Sequence, residues 1–77
     1  MSIRVRYFAS LKETIGRSED LIAFENIATV QDVWSAANQQ QKIPENVLAA
    51  VNMDYVQAND PVQDGDEVAF FPPVTGG

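Results

Sequence analysis

The sequence contains no cysteine and no histidine. Without cysteine there is no disulfide to staple the fold and no thiolate for a metal, and nothing points to an oxidising compartment. Without histidine the commonest zinc sites, the imidazole-dependent triads and the usual general base near neutral pH are missing. Basic residues are scarce: five Lys and Arg stand against eleven Asp and Glu, a net charge of -6. Such a chain lacks the clustered cations that neutralise a phosphate backbone, so no nucleic acid is expected as partner and proteins with basic surfaces are favoured. The same acidity also serves solubility alone. No stretch approaches the roughly 20 apolar residues of a membrane span, and Met1-Ser2-Ile3-Arg4-Val5-Arg6 carries no apolar run like that of a signal peptide. The expectation is a cytoplasmic protein that engages no membrane. In 77 residues there is room for one core and hardly for a catalytic pocket inside it.

What is present reads as a small mixed fold. Ile3, Val5, Tyr7 and Ala9 alternate with Arg4, Arg6 and Phe8, the period of a half-buried strand, with Phe8 on the charged face. Ser10-Leu11-Lys12-Glu13-Thr14-Ile15-Gly16 combines a Ser-x-x-Glu capping pattern with a closing glycine and predicts one or two helical turns. Leu21 to Phe24 predicts a second strand in a hairpin with the first. Thr29 is placed to cap a main helix, Asp32 favours its positive end, and Val30, Val33, Trp34 and Ala37 form one buried stripe ending at or before Ile43. Asn38 to Asn46 carries no recognisable motif. Val47 to Val51 predicts a central strand, Asn52-Met53-Asp54 a turn, Tyr55 to Gln57 a short return, and Glu67 to Phe71 the last strand after turn signals at Asn59-Asp60-Pro61 and Asp64-Gly65.

One main helix across a mixed sheet of four or five strands, with the first and last strands side by side and parallel, is the α+β class in its ubiquitin-like β-grasp form. The domain is expected over residues 1–71, followed by a flexible, extended C-terminal segment over 72–77.

That segment reads Pro72-Pro73-Val74-Thr75-Gly76-Gly77. Each proline fixes its own φ and restricts the residue before it, so the exit from the last strand is held extended. Six extended residues reach about 20 Å, enough to thread into a partner's active site. Gly76 and Gly77 have no side chains, so a narrow channel can close on their backbone. A terminal carboxylate becomes an acyl donor once adenylated, and sulfur can then replace the nucleotide to leave a thiocarboxylate. With no cysteine, the terminus is the one covalent place for sulfur. Two closing glycines are equally the composition of a frayed end.

Leu48-Ala49-Ala50-Val51-Asn52, Asp64-Gly65-Asp66-Glu67-Val68-Ala69-Phe70-Phe71 and Pro72-Pro73-Val74-Thr75-Gly76-Gly77 closely resemble the small subunits of molybdopterin synthase. The resemblance is specific from Leu48 onward and looser before it. It implies a non-catalytic sulfur carrier in a sulfurtransferase complex, with Gly77 as the carrier and Gly76 as its channel-fitting neighbour. It also implies an ATP-dependent adenylating enzyme, a persulfide sulfur donor, and a large subunit in whose active site sulfur passes to cyclic pyranopterin monophosphate. The implied assembly is a heterotetramer, and two charged carriers serve each pterin. No cofactor is expected to be resident; ATP belongs to the activating enzyme. Phe8, Lys12, Tyr55 and Phe71, with Pro72, Pro73, Val74 and Thr75, are the implied docking residues. The sequence leaves open whether Tyr55 and Phe71 are core or surface and whether Lys12 is simply solvated, while Trp34 reads as core.

Three other readings share the fold: a sulfur carrier for another pathway such as thiamine synthesis, a ubiquitin-like modifier of lysines, and a binding module without tail chemistry. The Pro-Pro-Val-Thr-Gly-Gly run speaks against the thiamine pathway.

Overall fold

The alternation at the N-terminus sets the sheet. In β1 (Ser2–Tyr7), Ile3, Val5 and Tyr7 are buried while Arg4 and Arg6 between them are exposed. A computed structural model, which describes residues 1–39 and 41–73, continues with α1 (Ala9–Ile15), β2 (Glu19–Ala23), α2 (Val30–Ala37), β3 (Leu48–Val51), β4 (Asp54–Val56) and β5 (Glu67–Phe71). The strands form one sheet in the order β2-β1-β5-β3-β4. β1 pairs antiparallel with β2 and parallel with β5, and β3 pairs antiparallel with both β5 and β4. First and last strands therefore lie side by side, and the architecture is the expected mixed α+β β-grasp.

The core fills the side of the sheet that faces the helices. Val30, Val33 and Trp34 of α2 meet Ile3, Val5 and Tyr7 of β1 and Val68 and Phe70 of β5. The Trp34 and Phe70 rings contact edge to face at 4.9 Å, and Tyr7 lies 6.2 Å from Trp34 and 6.3 Å from Phe70. These are the offset and T-shaped contacts that ring quadrupoles favour. Val62 and the Thr29–Pro61 bridge close the end of the core, with the Val62 amide donating to the Ala28 carbonyl at 3.0 Å.

α2 starts as the sequence predicts. The Thr29 hydroxyl accepts from the Asp32 amide at 3.2 Å, and the Asp32 carboxylate accepts from the Thr29 and Ala28 amides at 3.0 and 2.8 Å. This reciprocal box satisfies donors that the first turn leaves free. Those backbone bonds, Ala28 first, hold the Asp32 carboxyl below the usual range. At its other end the helix stops at Ala37, and Arg17 donates to the Ala37 carbonyl at 2.8 Å and to Asn38 Oδ1 at 3.2 Å.

Three expectations need correction. Ala9 does not extend the first strand; it opens α1 with φ at 55°, in the left-handed region. Phe8, not Ser10, caps that helix, and its side chain makes no capping bond, so the Ser10–Glu13 box does not form. In length and in its end α1 is as expected: seven residues make about two turns and bury Leu11, and Gly16 ends the helix at φ 89°, where a residue without Cβ sits without strain. The middle strand is β5, with β3 one place outward.

Candidate docking face

Strand period and sheet register together decide which side chains share the face opposite the helices. Arg6 of β1 is opposite Glu19 of β2 and Ala69 of β5; Ala69 is opposite Ala50 of β3, and Ala50 is opposite Tyr55 of β4. One row of the open face thus runs Glu19, Arg6, Ala69, Ala50, Tyr55. A second row runs Leu21, Arg4, Glu67. Toward the other end, Leu48 pairs with Phe71, and the Phe8 amide donates to the Phe70 carbonyl at 3.1 Å, which holds Phe8 beside β5.

Large apolar groups are left uncovered here. Tyr55 is 77% exposed, Phe8 42% and Leu48 41%, while Phe71 is half-buried. The Tyr55 and Phe71 rings tilt against each other at 5.7 Å, across a floor made shallow by Ala50 and Ala69. The Arg6 guanidinium lies 5.4 Å from the Phe8 ring centroid, within cation–π range. Exposed apolar groups gathered on one face mark an interaction site, whereas isolated ones do not.

Of the docking residues expected from sequence, the structure brings Phe8, Tyr55 and Phe71 onto this face. Lys12 is exposed on α1, directly after the buried Leu11, and belongs to no strand of the face. Pro72 is half-buried and lines a depression with Ser10, Leu11, Thr14 and Val47, on the α1 side. Pro73 is exposed. Val74, Thr75, Gly76 and Gly77, and with them the expected extended segment, lie outside the described residues. Trp34 is core at 4% exposure.

Sequence reasoning missed Leu48 and Leu21, the second 70% exposed. Leu48 sits in an unbroken apolar run, where alternation gives no cue to which residue faces out. Its only signal is the pairing with Phe71, which requires the register. Arg6 was seen as exposed, but not that it lies over Phe8.

The face holds no catalytic constellation. Among the described residues no cluster of three or more Asp, Glu, His or Cys is suited to a metal, and no helix is long and apolar enough to cross a membrane. The polar network of the molecule sits on the helix side. There the Tyr7 hydroxyl donates to Asp20 at 2.8 Å and accepts from Asn38 at 3.2 Å, while Arg17 Nε pairs with the same Asp20 oxygen at 2.6 Å. Burial, with the bond to Asp20 next, pushes the Tyr7 hydroxyl up to about 12.

Residues 5–77 match the ThiS family. The chain belongs to the ThiS family. Within it, the molybdopterin synthase sulfur carrier subunit of Escherichia coli is 39% identical over 97% of this chain and 99% of its own length. That of Haemophilus influenzae is 37% identical with the same coverage. Both place this ThiS-family chain among the molybdopterin synthase sulfur carrier subunits.

Solved structures agree on the fold. SAMP1 from Haloferax volcanii superposes with a TM-score of 0.78 at 24% identity over the whole of both chains. A protein described as molybdopterin converting factor, subunit 1, from Pyrococcus furiosus gives 0.74 at 29% identity, covering 96% of this chain and 99% of that one. A complex of subunits 1 and 2 of molybdopterin-converting factor from Helicobacter pylori contains a chain matching at 0.68 and 23% identity, complete on both sides.

Proposed function

We propose that this chain is the sulfur carrier of molybdopterin synthase, bringing sulfur on the backbone carboxylate of Gly77 to a larger catalytic subunit. The observation that carries the reading is the position of β5. Its outward residue, Phe71, belongs to the exposed apolar group with Phe8, Leu48 and Tyr55, and residues 72–77 follow directly. A partner that covers this face therefore sits beside Phe71, the residue after which the C-terminal segment begins. The likeness to the E. coli and H. influenzae carriers over nearly their whole lengths supports the same reading.

In this proposal an ATP-dependent enzyme adenylates Gly77, with loss of pyrophosphate. The terminal sulfur of a persulfide donor then attacks the acyl carbon and expels AMP, giving an acyl disulfide, and a second thiol attacks the donor's sulfur, forming a disulfide with it and releasing Gly77 as the thiocarboxylate. The carrier docks on the large subunit, as one of two at the ends of a heterotetramer, and its sulfur passes to cyclic pyranopterin monophosphate. Two carriers are consumed per dithiolene. Gly76, having no Cβ, lets the active-site channel close on the backbone. The carrier contributes no acid, base or metal; its role is docking and delivery.

Intact mass of the protein isolated from cells with an active sulfur pathway tests this directly. The expected result is a fraction in which one oxygen is replaced by sulfur, mapped to the C-terminal peptide. Deleting Gly77, or adding one residue after it, is expected to abolish cofactor synthesis while folding and docking persist. Full activity of the deletion variant would end the proposal, and Gly77 found joined to target lysines would replace it with a protein modifier.

A further inference from the structure

Arg6 projects from β1 on the open face and forms no ion pair with any described residue. Its neighbour on β5 is Ala69, whereas Arg4 has Glu67 at the equivalent place. Glu19 lies opposite on β2, yet among the described residues the only ion pair is Arg17 with Asp20. No hydrogen bond from the Arg6 guanidinium to another described residue forms either. It lies instead over the face of Phe8, 5.4 Å from the ring centroid.

A partner that covers Phe8 and Phe71 also covers what is stacked on Phe8. The desolvation of a guanidinium left without an acceptor is large enough to cancel the gain from burying an aromatic ring beside it. The planar fork of Arg, fixed by stacking, fits a carboxylate with two parallel hydrogen bonds. On the reading of this face as the docking surface, we infer that Arg6 is a specificity-determining residue whose guanidinium, laid over Phe8, pairs with a carboxylate of the large subunit. The carrier as a whole is acidic at -6, so an acidic group on the partner is repelled at long range and attracted only in the orientation that sets it on Arg6. Charge here selects register more than it adds affinity.

The test is calorimetric titration of carrier variants into the cognate large subunit, with urea midpoints as a check on folding. Arg6→Leu is expected to bind roughly thirtyfold more weakly, Arg6→Glu more weakly still, and Arg6→Lys to recover part of the loss. Wild-type affinity should fall with added salt more steeply than that of Arg6→Leu. Glu19→Gln should bind at least as tightly as wild type, because Glu19 competes for Arg6. Wild-type affinity of Arg6→Leu and Arg6→Glu would overturn the inference, as would a loss in Glu19→Gln matching that of Arg6→Leu, since Glu19 would then be the acceptor. Phe71→Ala separates the two levels. If it weakens binding while Arg6→Glu does not, only the charge pairing fails; if it too binds normally, the docking face itself is misread.

Discussion

Phe70 and Phe71 are chemically identical neighbours on β5 that face opposite ways, and replacing each by alanine should separate folding from docking. Phe70 is fully buried between Trp34 and Tyr7, at 4.9 and 6.3 Å. Removing a buried phenyl group costs about 3–5 kcal/mol through lost transfer energy and the cavity left behind. A 77-residue domain has only about 4–12 kcal/mol in total, at roughly 0.05–0.15 per residue. Phe70→Ala should therefore lose about a quarter or more of its stability and about 12 °C or more in Tm, at about 4–8 °C per kcal/mol. Phe71 is half-buried and loses mainly the contact with Tyr55 at 5.7 Å, so Phe71→Ala should cost about 1 kcal/mol in folding. Its effect should appear in binding, where a central aromatic anchor is worth about 2 kcal/mol or more. Urea unfolding followed by circular dichroism gives the first quantity, and calorimetric titration with the large subunit the second. Equal destabilisation by the two substitutions, or normal binding by a folded Phe71→Ala protein, would refute the assignment of faces.

Thr29→Ala removes the hydroxyl that accepts from Asp32 and should lower stability by about 1 kcal/mol, read as a reduced urea midpoint at unchanged slope. The Asp32 carboxyl, held low by the Ala28 and Thr29 amides, stabilises the fold above the ordinary carboxylate range, and this is lost as pH falls through its lowered value. Asp32→Asn should flatten that acid limb in pH-dependent urea unfolding. For Tyr7 the sign is reversed: its hydroxyl is raised to about 12, so stability is whole below the free-tyrosine value of about 10 and falls as pH climbs toward 12. With Tyr55→Phe in place, Tyr7 is the only tyrosine left, and spectrophotometric titration should show ionisation displaced upward or coincident with unfolding. A normal phenol titration in the folded protein would contradict the burial of the hydroxyl and its bond to Asp20.

The elements that local chemistry fixes were legible in the sequence. Thr29 with Asp32 marks the start of α2, Gly16 marks the end of α1, and Glu67 to Phe71 is the last strand with both bounds correct. Where tertiary contacts decide, the pattern runs past the truth. The alternation that begins at Ile3 continues formally to Ala9, but the strand stops at Tyr7, because Leu11 is drawn into the core and the chain turns at Ala9 to let it in. The strand facing of Tyr55 and Leu48 was not legible, since β4 is too short for a period and β3 is apolar throughout. Residues 38 to 46 carry no motif because what holds their described part is side-chain bonding from outside. Arg17 binds Asn38, Ser35 binds the Gln41 carbonyl, and Gln31 accepts from the Ile43 amide. None of these leaves a spacing to read. The exposed apolar group was legible in part, since Phe8 is marked by its two arginine neighbours, whereas its union with Tyr55, Phe71 and Leu48 exists only once β5 lies between β1 and β3.

That placement has a consequence for when the carrier becomes usable. The strand made last occupies the middle of the sheet, so during synthesis β1 and β2 have no route to β3 and β4 until residue 71 is available. A nascent or truncated chain that lacks β5 is missing its central hydrogen-bond ladder, the Phe70 anchor and the floor of the apolar face together. On the proposed reading, an activating enzyme that docks on the assembled face would take up only chains in which β5 is in place, and incomplete chains would offer it no surface to hold.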